Sequence, residues 1–268
     1  MRSVHPIERL RYVARASGDG PSLLVREAAG ALASFSDDPA ALVTACRRLV
    51  DRQPHNAPIW WLASRVLAAT DPGHESWIAA DELEEDPTPS VLRHELPADA
   101  TVLILGWPEQ VATAVARRGD LTVMVVDALG DGNGLVRRLE RSGSEPVLVE
   151  ERGVAAAAAA ADLVVLEAFG LGASGIMAVT GSRAAATVAR SAGVPVWVAA
   201  GVGRVLPGRL WDAYLRRLDD EGDPWDLDQE LVPLEFIDVV VGPAGASTAA
   251  EAARRADCPI VAELLKSL

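Results

Sequence analysis

The sequence is poor in the residues that thiol, metal and membrane chemistry need. Its 268 residues include two cysteines, Cys46 and Cys258, which lie far apart beside apolar helical residues. Two thiols cannot build a four-thiolate zinc site, so buried free thiols are expected. His55 and His74 stand alone, with no partner at ligand spacing, and no metal site is expected. No apolar run approaches the ~20 residues that span a bilayer. The opening MRSVHPIERLRYVARAS lacks the apolar stretch of a secretion signal, so a cytoplasmic protein without a membrane partner is expected. Positive charge is also short: 25 Lys plus Arg against 38 Asp plus Glu leave a net charge of -13. Such a chain has no general attraction for phosphate backbones, and no nucleic-acid partner is expected.

What is present falls into two halves with different periods. Up to about residue 90 the apolar spacing is helical. Ile7, Leu10 and Ala14 mark one face, and Leu24, Ala28, Leu32 and Phe35 the next. Asp38-Pro39 reads as a cap with proline at the first helical position, ahead of Leu42, Cys46, Leu49 and Val50. Asn56, with Pro58 just inside, opens a helix carrying Ile59, Leu62 and Val66. Adjacent Trp60 and Trp61 cannot share one narrow stripe. One ring is expected to reach a second surface, in the other half or another subunit. The charged, proline-bearing segment 82–90 marks the crossing, giving a helical domain over 1–92 and a second domain over 93–268.

From about residue 98 short apolar runs take over: 101–105, 121–126, 146–149, 163–166, 194–199 and 237–241. Helical stretches at 109–118, 133–142, 154–161, 182–192 and 248–256 separate most of them. Continuous rather than alternating apolar strands predict a mostly parallel sheet with helices on both faces, an α/β, Rossmann-like domain. The alanines 155–161 suit a crossover helix lying close against that sheet. Ligands in such sheets bind beyond the carboxyl ends of the strands. That directs attention to Gly106-Trp107, Asp127, Glu150-Glu151, Glu167 onward, Gly201 and Gly242 to Gly245.

After the fourth run comes EAFGLGASG, residues 167–175, with the spacing G-x-G-x-x-G. A dinucleotide fingerprint needs the first strand-to-helix turn, a helix opening within the motif, and an acid about 20 residues on. None of these is met, so neither NAD nor any other cofactor is expected. A better anion site is the helix start Thr180-Gly181-Ser182-Arg183, where Ser182 is expected to cap free N–H groups with Arg183 nearby. Thr248 and Glu251 have capping-box spacing at another helix start, which reads as structural.

Two stretches carry a resemblance: ADLVVLEAFGLGASGIMAVTGSRAAATVARSAGVPVWVAA, around 162–199, and VPLEFIDVVVGPAG, 232–245. Together they resemble the initiation factor 2B alpha/beta/delta-related family, which includes ribose-1,5-bisphosphate and methylthioribose-1-phosphate isomerases. The resemblance implies an N-terminal helical domain, a C-terminal Rossmann-like domain and a homodimer paired through the latter. It also implies sites. The isomerases' acid/base cysteine falls at Gly106 and their aspartate at Phe169. Their Asn-Gly becomes Ser174-Gly175, and their Asn-Lys-x-Gly-Thr becomes Val179-Thr180-Gly181-Ser182, without the lysine. An Arg-Pro falls within 127–130, and a last acid at Pro243.

Glycine and phenylalanine cannot move a proton. The expectation is therefore a non-catalytic initiation factor 2B-like protein that binds a small phosphorylated metabolite, a sugar phosphate or nucleotide, or a protein partner in a regulatory role. The expected ligand set is Gly106, Trp107, Glu150, Ser174, Gly175, Thr180, Gly181, Ser182, Arg183 and Gly201. A sugar-phosphate aldose–ketose isomerase with Glu167 as displaced base is the alternative, and a structural protein with no ligand is a third.

Overall fold

The computed structural model describes residues 21–219 and 222–266, so the face marked by Ile7, Leu10 and Ala14 lies outside the described residues. The chain divides into two compact units. One, helical, comprises residues up to 86 together with 202–221 and 253 onward; the other comprises 87–201 and 222–252.

The helical unit begins with α1 (Pro21–Ala33), α2 (Pro39–Arg52), α3 (Ala57–Ala68) and α4 (Pro72–Glu84). The last three open alike, on an Asp or Asn followed by a first-turn proline. Asp38 Oδ1 accepts from the Ala41 amide at 3.0 Å, Asn56 Oδ1 from Ile59 at 3.3 Å, and Asp71 Oδ1 from His74 at 2.9 Å. Each cap contributes about 1 kcal/mol, and proline gives up an N–H that had no helical partner there. The expected apolar faces are buried, from Leu24, Ala28 and Leu32 through Leu42, Cys46, Leu49 and Val50 to Ile59, Leu62 and Val66. Phe35 is the exception. It lies past the end of α1, half-buried in a turn, because extended backbone at Asp38 already prepares the next helix.

The second unit alternates strand and helix. In chain order it runs α5 (Thr88–Glu95), β1 (Thr101–Leu105), α6 (Glu109–Val115), β2 (Thr122–Val126), α7 (Gly132–Arg141), β3 (Val147–Val149), α8 (Val154–Ala160) and β4 (Leu163–Glu167). It continues with β5 (Gly170–Gly172), β6 (Gly175–Val179), α9 (Ser182–Ala192) and β7 (Val196–Ala199). The chain then visits the helical unit with α10 (Gly208–Asp219) and returns for β8 (Gln229–Pro233), β9 (Val239–Gly242), β10 (Gly245–Ser247) and α11 (Ala249–Ala252).

Seven strands form one sheet in the order β10-β9-β7-β4-β1-β2-β3, parallel throughout except for β10 against β9. β4 is buried at every position, as a central strand covered on both faces must be. The order steps outward from β1 through β2 to β3, then restarts beside β1 at β4 and leaves the other way. This is the doubly wound arrangement, with its switch point between β1 and β4.

Three features differ from the sequence expectation. β5, β6 and β8 make a second, antiparallel sheet, which local periodicity did not announce. The predicted last helix shrinks to α11, while α10 was not foreseen. The alanine helix α8 packs chiefly against α9 rather than lying on the sheet, and buries only Ala157 and Ala158. Its small side chains allow close approach between helices.

The helical unit closes around the tryptophan pair. Both rings are fully buried. Trp60 donates through Nε1 to the Pro54 carbonyl at 3.2 Å and meets Tyr214 of α10 edge-on, with ring centroids 5.9 Å apart. Trp61 donates to Asp257 Oδ1 at 2.8 Å and lies beneath the Arg65 guanidinium, 4.6 Å from the ring centroid. The second surface reached by the pair is thus made by later segments of the same chain. Cys46 and Cys258 are buried and unpaired, as expected. Burial pushes the Cys258 thiol up to about 12 and Cys46 higher still, so neither offers a thiolate near neutral pH. Among the described residues no helix is long and apolar enough to cross a membrane.

Candidate functional site

The switch point between β1 and β4 holds a cavity of about 120 Å³. Every wall comes from the sheet unit. Leu105 closes β1, and Trp107 and Pro108 form the turn into α6. Leu166 and Glu167 end β4, and Phe169 follows. Leu129 and Asp131 come from the loop after β2. Val179 and Ser182 bracket the passage from β6 to α9, and Asp228 and Gln229 lead into β8.

The glycine spacing of residues 167–175 belongs to a hairpin. Gly170 pairs with Met177 and Gly172 with Gly175, so Ala173 and Ser174 are the two turn residues between β5 and β6. Gly175 has a steric reason to be glycine: a Cβ there would stand 2.4 Å from the Val232 carbonyl oxygen of β8. The motif therefore lets two strands approach and does not cradle a phosphate. Ser174 is exposed in the turn, and neither it nor Gly175 lines the cavity.

Glu167 is buried at the end of β4, and its carboxylate has fixed duties. Oε2 accepts from the amides of Gln110 at 2.8 Å and Val111 at 3.3 Å. α6 starts after Pro108, which has no side-chain acceptor, so the carboxylate from the neighbouring strand does the capping. This ties the helix after β1 to β4 across the switch point.

The start of α9 departs from expectation in one respect. The capping position is Gly181, left-handed at φ 89°, and Ser182 is the first helical residue with no capping bond. A serine inside the helix cannot fold back on N–H groups that lie ahead of it. Its Oγ is instead fully buried at the cavity wall, with no hydrogen-bond partner among the described residues. Gln229 Oε1, across the cavity on β8, is likewise buried and unpartnered. The neighbouring amides are taken: Thr180 donates to the Asp228 carbonyl at 3.0 Å, and Arg183 to Glu230 Oε1 at 2.9 Å. The Arg183 side chain is exposed and does not line the cavity.

The remaining expected residues divide. Gly106 adjoins the cavity, its left-handed φ of 63° turning the chain from β1 into α6. Trp107 is in the wall, 41% exposed, packed over Gly134 and near the Arg138 guanidinium. Glu150 stands past β3 at the sheet edge, ion-paired with Arg152, and takes no part in the wall. Gly201 is buried after β7 and does not line the cavity. Leu129, Asp131, Asp228 and Gln229 were not anticipated. The first two sit in a loop, and the last two stand just before and at the start of β8, whose partner strand lies about fifty residues earlier, where local pattern carries no signal. Leu129 is also a left-handed non-glycine residue, at φ 56° and 47% exposed. Such a conformation costs about 1–2 kcal/mol and concentrates at ligand sites.

The electrostatics are one-sided. Three acidic residues, Asp131, Glu167 and Asp228, are among those lining the wall, while among the described residues no Lys or Arg lines it. The single lysine of the chain, Lys266, belongs to the helical unit. No three His, Cys, Asp or Glu side chains among the described residues are grouped to hold a metal ion.

Fold and cavity define the class: a doubly wound α/β protein with a binding-sized hollow at its switch point, joined to a helical unit. Solved structures of this kind are known. The chain is similar to the translation initiation factor eIF-2B of Pyrococcus horikoshii OT3, with a TM-score of 0.75, 15% identity, and 91% of this chain and 96% of that one covered. The tetrameric eIF2B-beta2-delta2 complex of Chaetomium thermophilum gives 0.75, 17%, 93% and 92%. The 5-methylthioribose 1-phosphate isomerase of P. horikoshii OT3 gives 0.65, 13%, 94% and 87%. At these identities the likeness is one of fold. Neither a known family profile nor a curated protein sequence matches the chain.

Proposed function

We propose that the protein is a non-catalytic member of this fold group. It binds a small polyhydroxylated, phosphorylated metabolite at the switch point, with the phosphoryl end toward the start of α9. One observation carries the reading: Ser182 Oγ is fully buried in the cavity wall without a partner. A buried hydroxyl left unmade costs about 1–3 kcal/mol, which a ligand repays. Gln229 Oε1 supplies a second such group. Size narrows the class. A closed cavity of about 150 Å³ accommodates benzene, so 120 Å³ takes one group of about that size, a phosphoryl group or part of a sugar, with the rest of the ligand extending toward solvent.

The absence of turnover is argued from chemistry. Gly106 and Phe169 stand where the resembling isomerases handle protons, and Glu167 Oε2 is held by two backbone amides. Binding without conversion suits a regulatory role. Pairing with a second copy is part of the proposal, since one similar structure is a tetrameric complex; light scattering checks it.

Thermal shift against ribose 5-phosphate, ribose 1,5-bisphosphate, methylthioribose 1-phosphate, AMP and inorganic phosphate tests the reading. A ligand at 100-fold its Kd adds about 2.7 kcal/mol, or roughly 5–10 °C in Tm for a domain of this size. No shift with any of them rejects the proposal. Glu167 in the wall favours a second reading, an isomerase using it as base. Aldose–ketose conversion that Glu167→Gln abolishes while binding persists would establish that instead.

A further inference from the structure

The start of α9 is already occupied by an anion of the protein's own. α9 is eleven residues long, and its N-terminus carries roughly half a positive charge. Ser182 Oγ, buried and unpartnered, marks the same end as unfinished. Yet the amide of Arg183, the second helical residue, donates 2.9 Å to Glu230 Oε1. The sheet register holds that carboxylate in place. Glu230 pairs with Ala178 on β6, and β6 runs through Thr180 and Gly181 straight into α9. Its neighbour Gln229 lines the cavity, whereas Glu230 reaches the helix. The residues lining the cavity include three acidic ones and, among the described residues, no Lys or Arg.

We infer that Glu230 is a selectivity residue of this cavity, its carboxylate competing with a ligand's phosphate for the start of α9. The inference rests on the binding reading above. A phosphate dianion seated near Ser182 meets a like charge beside the helix end, and using the Arg183 amide requires breaking the bond to Glu230. A neutral polyol meets neither obstacle. The site therefore weakens binding of a doubly charged phosphoryl group relative to the hydroxylated remainder, and binding of a phosphate is coupled to release of Glu230 from α9.

The substitution Glu230→Gln tests this, because an amide oxygen can still accept from Arg183 while the charge is gone. Calorimetric titration compares the two proteins with inorganic phosphate, ribose 5-phosphate and ribose. The expected result is phosphate and ribose 5-phosphate about tenfold tighter in Glu230→Gln, the size of one nearby charge, with ribose unchanged. A purely structural role for Glu230 would move all three ligands together. Equal phosphate affinity in the two proteins, with wild type binding the sugar phosphate, overturns the inference and leaves the binding reading intact. Failure of both proteins to bind any of the three overturns both. If Glu230→Gln does not fold, the wild type answers alone: saturating phosphate should shift the Arg183 amide and the Glu230 carboxylate resonances together. Phosphate binding that leaves Glu230 unmoved rejects the inference.

Discussion

The tryptophan pair and the switch-point cavity have buried polar groups in opposite states. Beside the pair, the indole, phenol and guanidinium groups are hydrogen-bonded. Trp60 and Trp61 both donate through their indole N–H, Tyr214 donates to the His55 carbonyl, and the buried Arg217 meets Asp51 Oδ1 at 2.7 Å and the Leu264 and Lys266 carbonyls. At the switch point of the sheet unit, Ser182 Oγ and Gln229 Oε1 are left without partners beside a hollow. The first arrangement serves stability, where every unpaired group is a loss. The second is what the proposed ligand site requires, since a ligand can supply the missing partners.

Substitutions can break or sharpen that contrast. The largest effect belongs to Trp61→Ala, which empties a fully buried indole site and removes the hydrogen bond to Asp257. A loss of about 3–5 kcal/mol is expected in urea unfolding. Next comes Gly175→Ala, whose methyl would press on the Val232 carbonyl from 2.4 Å. Strand separation should cost about 1–3 kcal/mol and weaken ligand binding, because Gln229 sits on the displaced strand.

Ser182→Ala should behave differently. It removes an unpartnered hydroxyl, so stability should hold or rise by up to about 1 kcal/mol while ligand affinity falls about tenfold. A stability loss comparable to that of Gly175→Ala would erase the contrast between the pair and the cavity.

The smallest effect is in pH. Cys46 and Cys258 have raised pKa values in the fold, the latter about 12, while an unfolded thiol titrates near 8.5. Above that pH the unfolded chain binds fewer protons than the folded one, so stability should fall as pH rises past about 9. Denaturant midpoints from pH 7 to 10 check this. Serine at both cysteine positions should flatten the slope.

Much of the framework was legible in advance. Asp38-Pro39 and Asn56 with Pro58 announced helix starts, because a cap and a fixed φ act over three or four residues. The apolar runs located six of the seven strands of the large sheet within two residues and missed β10, a three-residue edge strand. The second sheet was not legible, since β6 meets β8 only after the chain has left for α10 and returned. Of the cavity, Trp107, Glu167 and Ser182 were found from their places after strands and at a helix start. Their roles were not. Glu167 caps a helix 57 residues away, and the amide next to Ser182 is taken by a carboxylate 47 residues on.

The sequence by itself determined the capped helices of the helical unit, the six parallel strands of the large sheet and the identity of Gly106 and Phe169, neither of which can carry a proton. Each of these is a local property of spacing or side-chain identity. Only the tertiary structure decided that the glycine motif is a hairpin, that Glu230 accepts from the start of α9 and that Ser182 and Gln229 line one hollow. Those outcomes depend on which distant strands pair, and the free energy of that pairing comes from burial shared across the whole unit.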